Sequence, residues 1–129
     1  MSDKKPDSVG QTRTVDKPWG HELIWAVTDR YVGKILHIKK GHSLSLQYHE
    51  KKDETVMVLR GKMAFTHYRQ GQEPTVSELG PNQPFHVTPG LIHRMTAVED
   101  TDVVEVSTTE LEDVVRLEDS YGRKGTNAP

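Results

Sequence analysis

Apolar residues along this chain recur at every second position or in short runs, the spacing of strands rather than helices. Residues 21–27, 31–38, 62–68, 75–79, 85–87, 94–98 and 102–108 each predict a strand. Turn signals separate them: Lys17-Pro18-Trp19-Gly20, Thr28-Asp29-Arg30, Lys39-Lys40-Gly41, Gln70-Gly71-Gln72, the run from Gly80 to Pro84, and Glu99-Asp100-Thr101. No segment before Thr108 carries helical periodicity, and residues 109–113 predict one short helical turn. Many short strands at regular spacing point to an all-β sandwich or barrel. Residues 1–13 read as a disordered polar lead-in, 14–123 as one domain, and 124–129 as a frayed end.

The stretch from Gly41 to Gly61 organises the rest. Leu44 and Leu46 alternate with Ser43, Ser45, Gln47 and His49, so Gln47 and His49 share one face. The turn Glu50-Lys51-Lys52-Asp53 reverses the chain, and Glu54 opens the next strand. Thr88-Pro89-Gly90-Leu91-Ile92-His93 offers a second histidine after a Pro-Gly turn. One amide, two imidazoles and one carboxylate arriving from three strands form a candidate site for one divalent transition metal ion. Nitrogen and oxygen donors without thiolate suit Zn, Mn, Fe, Co or Ni.

Composition narrows the class. The chain has 129 residues, a length for one domain, and only 33% of them are hydrophobic, so the interior is small or partly polar. A formal net charge of −2 with no basic stripe argues against nucleic acid as partner. There is no cysteine, which removes disulfides and thiolate ligands. No apolar run approaches the roughly 18 residues of a membrane helix, and no signal-peptide core is visible, so the expectation is a cytoplasmic protein without a membrane partner.

The spacing G-x5-(H/Q)-x-H-x4-E-x6-G at Gly41, Gln47, His49, Glu54 and Gly61, with Gly90 and His93, resembles the two motifs of the cupin superfamily. The chain is similar in particular to the cupin domain of type II mannose-6-phosphate isomerases, which often forms the C-terminal part of bifunctional mannose-1-phosphate guanylyltransferase/isomerases. Lys17-Pro18-Trp19-Gly20, the run from Leu44 to His49, Asn82-Gln83, Gly90 to Arg94 and Asp113 to Arg123 carry that likeness. Glutamine at position 47 is usual in that family. A family arginine before the motif glutamate appears here as Lys52, and the aromatic that follows it is replaced by Thr55 and Val56.

The resemblance implies a single cupin jelly-roll barrel, a metal held by Gln47, His49, Glu54 and His93, and aldose–ketose isomerisation of a sugar phosphate as the small-molecule substrate. Such chemistry needs a base. Glu105, within Val103-Val104-Glu105-Val106, is the first candidate, with His86 and His67 behind it. Arg94 and Lys34 are the candidates for gripping the phosphate, with Arg116 a third; its other reading is a salt bridge stapling the C-terminal segment. Lys51 and Lys52 read as solvating the turn. Trp19, Trp25 and Tyr31 read as core or dimer-contact aromatics, and the family analogy suggests a homodimer joined through the segment 19–25. Two other readings remain open: a non-catalytic metal- or sugar-binding cupin, and an iron-dependent dioxygenase-type cupin.

Overall fold

The computed structural model describes residues 7–122 and the short strand Gly125–Thr126. Among these residues there are twelve strands: β1 (Arg13–Lys17), β2 (Gly20–Val27), β3 (Val32–Ile38), β4 (Leu46–Tyr48), β5 (Glu54–Arg60), β6 (Met63–Tyr68), β7 (Thr75–Leu79), β8 (Pro84–Val87), β9 (Ile92–Ala97), β10 (Thr101–Ser107), β11 (Val115–Glu118) and β12 (Gly125–Thr126). They form two six-stranded antiparallel sheets, in the orders β1-β2-β3-β10-β5-β8 and β12-β11-β4-β9-β6-β7. This is the all-β jelly roll that the sequence predicts. Among the described residues no helix is long and apolar enough to cross a membrane.

Both sheets contribute their inward rows to one core. Leu36, Val56, Val58 and Val103 from the first meet Met63, Phe65, Met95 and Ala97 from the second, with Trp19 sealing one side. Strict alternation produces this: along β5, Glu54, Val56 and Val58 are buried while Thr55 and Met57 turn outward. The core does not fill the interior. Moving along β3, β5, β9 and β10, inward residues change from apolar to polar, at Lys34, Glu54, His93 and Glu105. One end of the interior is therefore an apolar plug and the other a charged cavity.

The strands on either side of the turn 50–53 do not pair with each other. β4 lies in one sheet and β5 in the other, so the turn crosses the interior and His49 faces Glu54 across it. At Gly61, after β5, φ is +95°, and a Cβ there would collide with the carbonyl oxygen of Asp100. That explains the glycine at the end of the spacing.

Several expectations are corrected. Arg13, read as the end of the lead-in, and Lys17, read as the start of a turn, are the two ends of β1, an edge strand that pairs with β2. Residues 109–113 close a single turn, Asp113 N–H bonding Glu110 O at 3.3 Å, and do not form a helix. Leu111 N–H bonds Thr109 O at 2.8 Å and Val114 N–H bonds Glu112 O at 3.0 Å, while the Asp113 side chain is drawn to another segment. Within the expected frayed end, Gly125–Thr126 pairs with β11. Residues 1–6, 123, 124 and 127–129 lie outside the described residues. Of the three aromatics expected in the core or at a dimer contact, Trp19 is a core residue, and Trp25 and Tyr31 stand exposed. β2 pairs with β3 within the chain.

Candidate metal centre

Three of the four expected ligands meet. His49 at the end of β4, Glu54 at the start of β5 and His93 on β9 are all buried, and each offers a ligand atom within 4.8 Å of the others. His49 Nε2 lies 2.9 Å from Glu54 Oε2, and His93 Nε2 lies 3.5 Å from the same oxygen. Two donors each about 2.1 Å from one ion stand roughly 3 Å apart, so the spacing suits a shared cation.

The second nitrogen of each ring fixes its orientation. His49 Nδ1 donates to the carbonyl of Asp113 at 2.5 Å, and His93 Nδ1 donates to the carbonyl of Leu91 at 2.9 Å. Since a carbonyl only accepts, the proton sits on Nδ1 in both rings and Nε2 turns toward the cluster. His93 Nε2 has no hydrogen-bond partner although it is fully buried. Two imidazole nitrogens and a carboxylate converge in the buried interior, an arrangement that a cation stabilises. The donor set therefore fits a divalent metal. Gln47 sits opposite His93 in the sheet register, lines the same cavity and has its carbonyl oxygen held by Ser45 Oγ at 2.8 Å.

Behind the cluster lies a chain of buried charges. Lys52 Nζ is 3.7 Å from Glu54 Oε1 and 3.4 Å from Glu105 Oε2, and Lys34 Nζ donates to Glu22 Oε1 at 3.3 Å. Burial alone would raise the Glu54 carboxyl, but the two imidazoles beside it, with the Lys52 charge, hold it well below the usual range. Burial raises Glu105, and the neighbouring Glu54 charge adds to it; Lys52 and Lys34 oppose. Burial would lower Lys52, yet the Glu105 and Glu54 carboxylates keep it above the ordinary lysine range. One site thus contains one carboxylate pushed down and another pushed up, the division of labour that acid–base chemistry uses.

The other predicted residues separate. Lys34 and Glu105 line the cavity, as does Arg116, which pairs with Gln47 across β11 and β4. Arg94 points out of the sheet, donating to the carbonyls of Leu44 and Glu118, and so ties the C-terminal segment to the barrel. His86 is on the outer face of β8, 2.7 Å from Asp53, and does not reach the cavity. His67 is bonded to Ser77 and stacked near Phe65 and Phe85, and it does not line the cavity either.

Three contributors escaped the sequence reading. Lys52 is buried in the cavity wall instead of solvating its turn. The signal was parity: it stands two residues before Glu54, so it extends the inward row of β5. Glu22 had the same signal, two residues before the buried Ile24. Asp113 had none. Its carboxylate accepts the N–H groups of Glu50, Lys51 and Lys52 while its carbonyl orients His49. Burial works against it, but those three N–H donors hold its carboxyl below the usual aspartate range.

Comparison with known proteins places the chain in a family and agrees with its fold. A family model described as "Mannose-6-phosphate isomerase C-terminal" matches residues 4–119. The xanthan biosynthesis protein XanB of Xanthomonas campestris is 33% identical over 116 residues, covering 86% of this chain and 24% of that protein. The mannose-1-phosphate guanylyltransferase ManC of Salmonella typhimurium is 34% identical over 116 residues, covering 86% and 23%. The chain thus spans about a quarter of the length of the curated relatives it matches. Among solved structures, oxalate decarboxylase from Bacillus subtilis superposes with a TM-score of 0.72 at 15% identity, over 85% of this chain and 31% of that one. KdgF from Halomonas sp. gives 0.66 at 20% identity, over 78% and 89%. Both are likenesses of fold.

Proposed function

Since this chain belongs to the mannose-6-phosphate isomerase C-terminal family, a cupin family, we propose that it interconverts an aldose phosphate and a ketose phosphate at a divalent metal centre. Mannose 6-phosphate and fructose 6-phosphate are the first pair to test. The observation that carries this reading is the position of Glu105. It is buried, its proton affinity is raised, and one ammonium group separates it from the His49–Glu54–His93 cluster.

His49, Glu54, His93 and Gln47 would hold the ion, which supplies Lewis-acid polarisation of a carbonyl or hydroxyl and stabilises charge that develops on oxygen. Glu105 is then the proton carrier between C2 and C1. A carboxylate with a raised proton affinity takes and returns a proton more evenly than an ordinary one. Lys52 keeps the Glu105 carboxylate aimed into the cavity and moderates its repulsion by Glu54. Lys34 and Arg116 supply positive charge at the cavity wall for the phosphate, Arg116 as a planar donor fork and Lys34 as a point charge shared with Glu22. Arg94 and His86 have no role in this scheme, because both turn away from the cavity.

In D₂O, the metal-loaded protein should exchange the C2 hydrogen of mannose 6-phosphate, read by proton NMR. Glu105→Gln should slow that exchange by about 10²–10⁴-fold while keeping its metal, since it loses a general base and no ligand. Absence of exchange with the metal in place would sink the isomerase reading and leave a binding module.

A further inference from the structure

After β10 the chain passes along the cavity and returns as β11 beside β4. Leu111, Val114 and Arg116 of this segment, residues 108–122, line the cavity. It adds little to the apolar core: Val114 is buried, and Tyr121 packs partly against the core cluster. Its other anchors are polar. Thr108 N–H bonds Asp53 O at 3.0 Å, and Asp53 N–H bonds Thr108 Oγ1 at 3.0 Å. His42 Nδ1 and the Tyr121 hydroxyl lie 2.7 Å apart, and Arg94 holds Glu118 from outside. A segment held in this way, with few buried apolar contacts, belongs to the less stable parts of a fold, those that open locally.

We infer that Asp113 is a positioning residue for the metal centre, and that through it the docking of residues 108–122 and the binding of metal reinforce each other. The inference rests on the metal centre and not on the isomerase reaction. Asp113 acts on two ligands at once. Its main-chain carbonyl accepts from His49 Nδ1 at 2.5 Å and so sets the rotation of that ring. Its carboxylate accepts the N–H groups of Glu50, Lys51 and Lys52 at 3.0, 2.6 and 2.8 Å. Those three residues belong to the turn that joins His49 to Glu54 across the interior, so gathering their N–H groups on one carboxylate fixes the span between the two ligands. Hydrogen bonds to an ionised acceptor are the strong kind. When the segment lifts away, His49 loses the acceptor that aims its Nε2 and the turn loses its clamp. The two ligands then have to be ordered by the ion itself, which lowers its affinity. Coupling of this sort is reciprocal: an ion that binds the docked form better must also hold the segment down, by the same factor. The register continues the link beyond Asp113, since β11 sets Arg116 opposite Gln47. The wall formed by Leu111, Val114 and Arg116 is therefore closed most firmly when the centre is loaded.

Two measurements on the full chain test this, with Zn²⁺ as the probe. The first is zinc affinity by competition with a chromophoric chelator. Asp113→Ala should weaken it by about 10–100-fold, and Asp113→Asn, which keeps one acceptor oxygen for the turn, should lose less. Val58→Ala is the control for a purely structural effect: it removes core packing, lowers the urea midpoint and leaves zinc affinity unchanged. The second is amide hydrogen exchange of the wild type by NMR, which needs no substitution. Zinc should slow the Leu111 and Val114 amides, whose acceptors Thr109 O and Glu112 O lie within the segment, by the factor that Asp113→Ala costs in affinity. The Gln72 amide, bonded to Arg69 O in the turn after β6, should not respond. If Asp113→Ala fails to fold, Asp113→Asn and the exchange data still decide. Equal zinc affinity in the wild type and the Asp113 variants, or Leu111 and Val114 amides that exchange alike with zinc and with chelator, would overturn the coupling and leave the metal centre standing. A wild type that binds no zinc would remove the centre and this inference with it.

Discussion

Lys52→Met should lower folding stability by about 3–5 kcal/mol, the effect of removing one partner from a buried ion pair. The ammonium lies between Glu54 and Glu105, at 3.7 and 3.4 Å, and all three groups are buried. Without it two carboxylates face each other in a medium that screens them poorly. The double variant Lys52→Met, Glu105→Gln should recover much of the loss, because the amide leaves only one charge to accommodate. The loss should also shrink when a divalent metal is added, since the ion neutralises Glu54 and binds the folded state alone. At a hundredfold excess over its dissociation constant it contributes about 2.7 kcal/mol. Urea denaturation with chelator, with metal and in the double variant measures all three. Equal midpoints for Lys52→Met and wild type in chelator would contradict the role given to Lys52.

His49→Ala and His93→Ala should each release the metal with little change in sheet content. Loss of an outer-shell partner alone weakens metal affinity by about 10–100-fold, and these rings supply the ligand atoms themselves. His49 loses its anchor to Asp113 as well, and the turn 50–52 keeps its three bonds to the Asp113 carboxylate. His93 is buried against Phe65, so its truncation also opens a cavity, and this variant should be the less stable of the two. Elemental analysis after dialysis, with circular dichroism as the control, reads both. Stoichiometric metal in either variant would remove that histidine from the ligand set.

Much of this architecture could be read from the chain because strand parity is a strong constraint. Once Leu36 and Ile38 face the core, Lys34 must face it too; once Val103 does, so does Glu105. The same rule places Arg94 outside, since it follows the inward His93, and places His86 outside between Phe85 and Val87. Family likeness had drawn Arg94 toward the substrate, and parity overrules it. Lys52 was obscured by its neighbours: in a run of charged residues it resembles a solvated turn, yet the inward row of β5 starts at Lys52. Arg116 depends on long-range pairing. β11 is four residues, two of them charged, and only its pairing with β4, with Arg116 opposite Gln47, turns the guanidinium inward. Asp113 works through backbone groups 61–64 residues away, which no local pattern announces.

The shared cation is tested most directly by anomalous diffraction from crystals of the metal-loaded protein, recorded at the absorption edge of the metal. One peak is predicted inside the cavity, about 2.0–2.2 Å from His49 Nε2, His93 Nε2 and a Glu54 oxygen. A protein that carries stoichiometric metal but shows its peak on an outer face, away from both imidazoles, would contradict it.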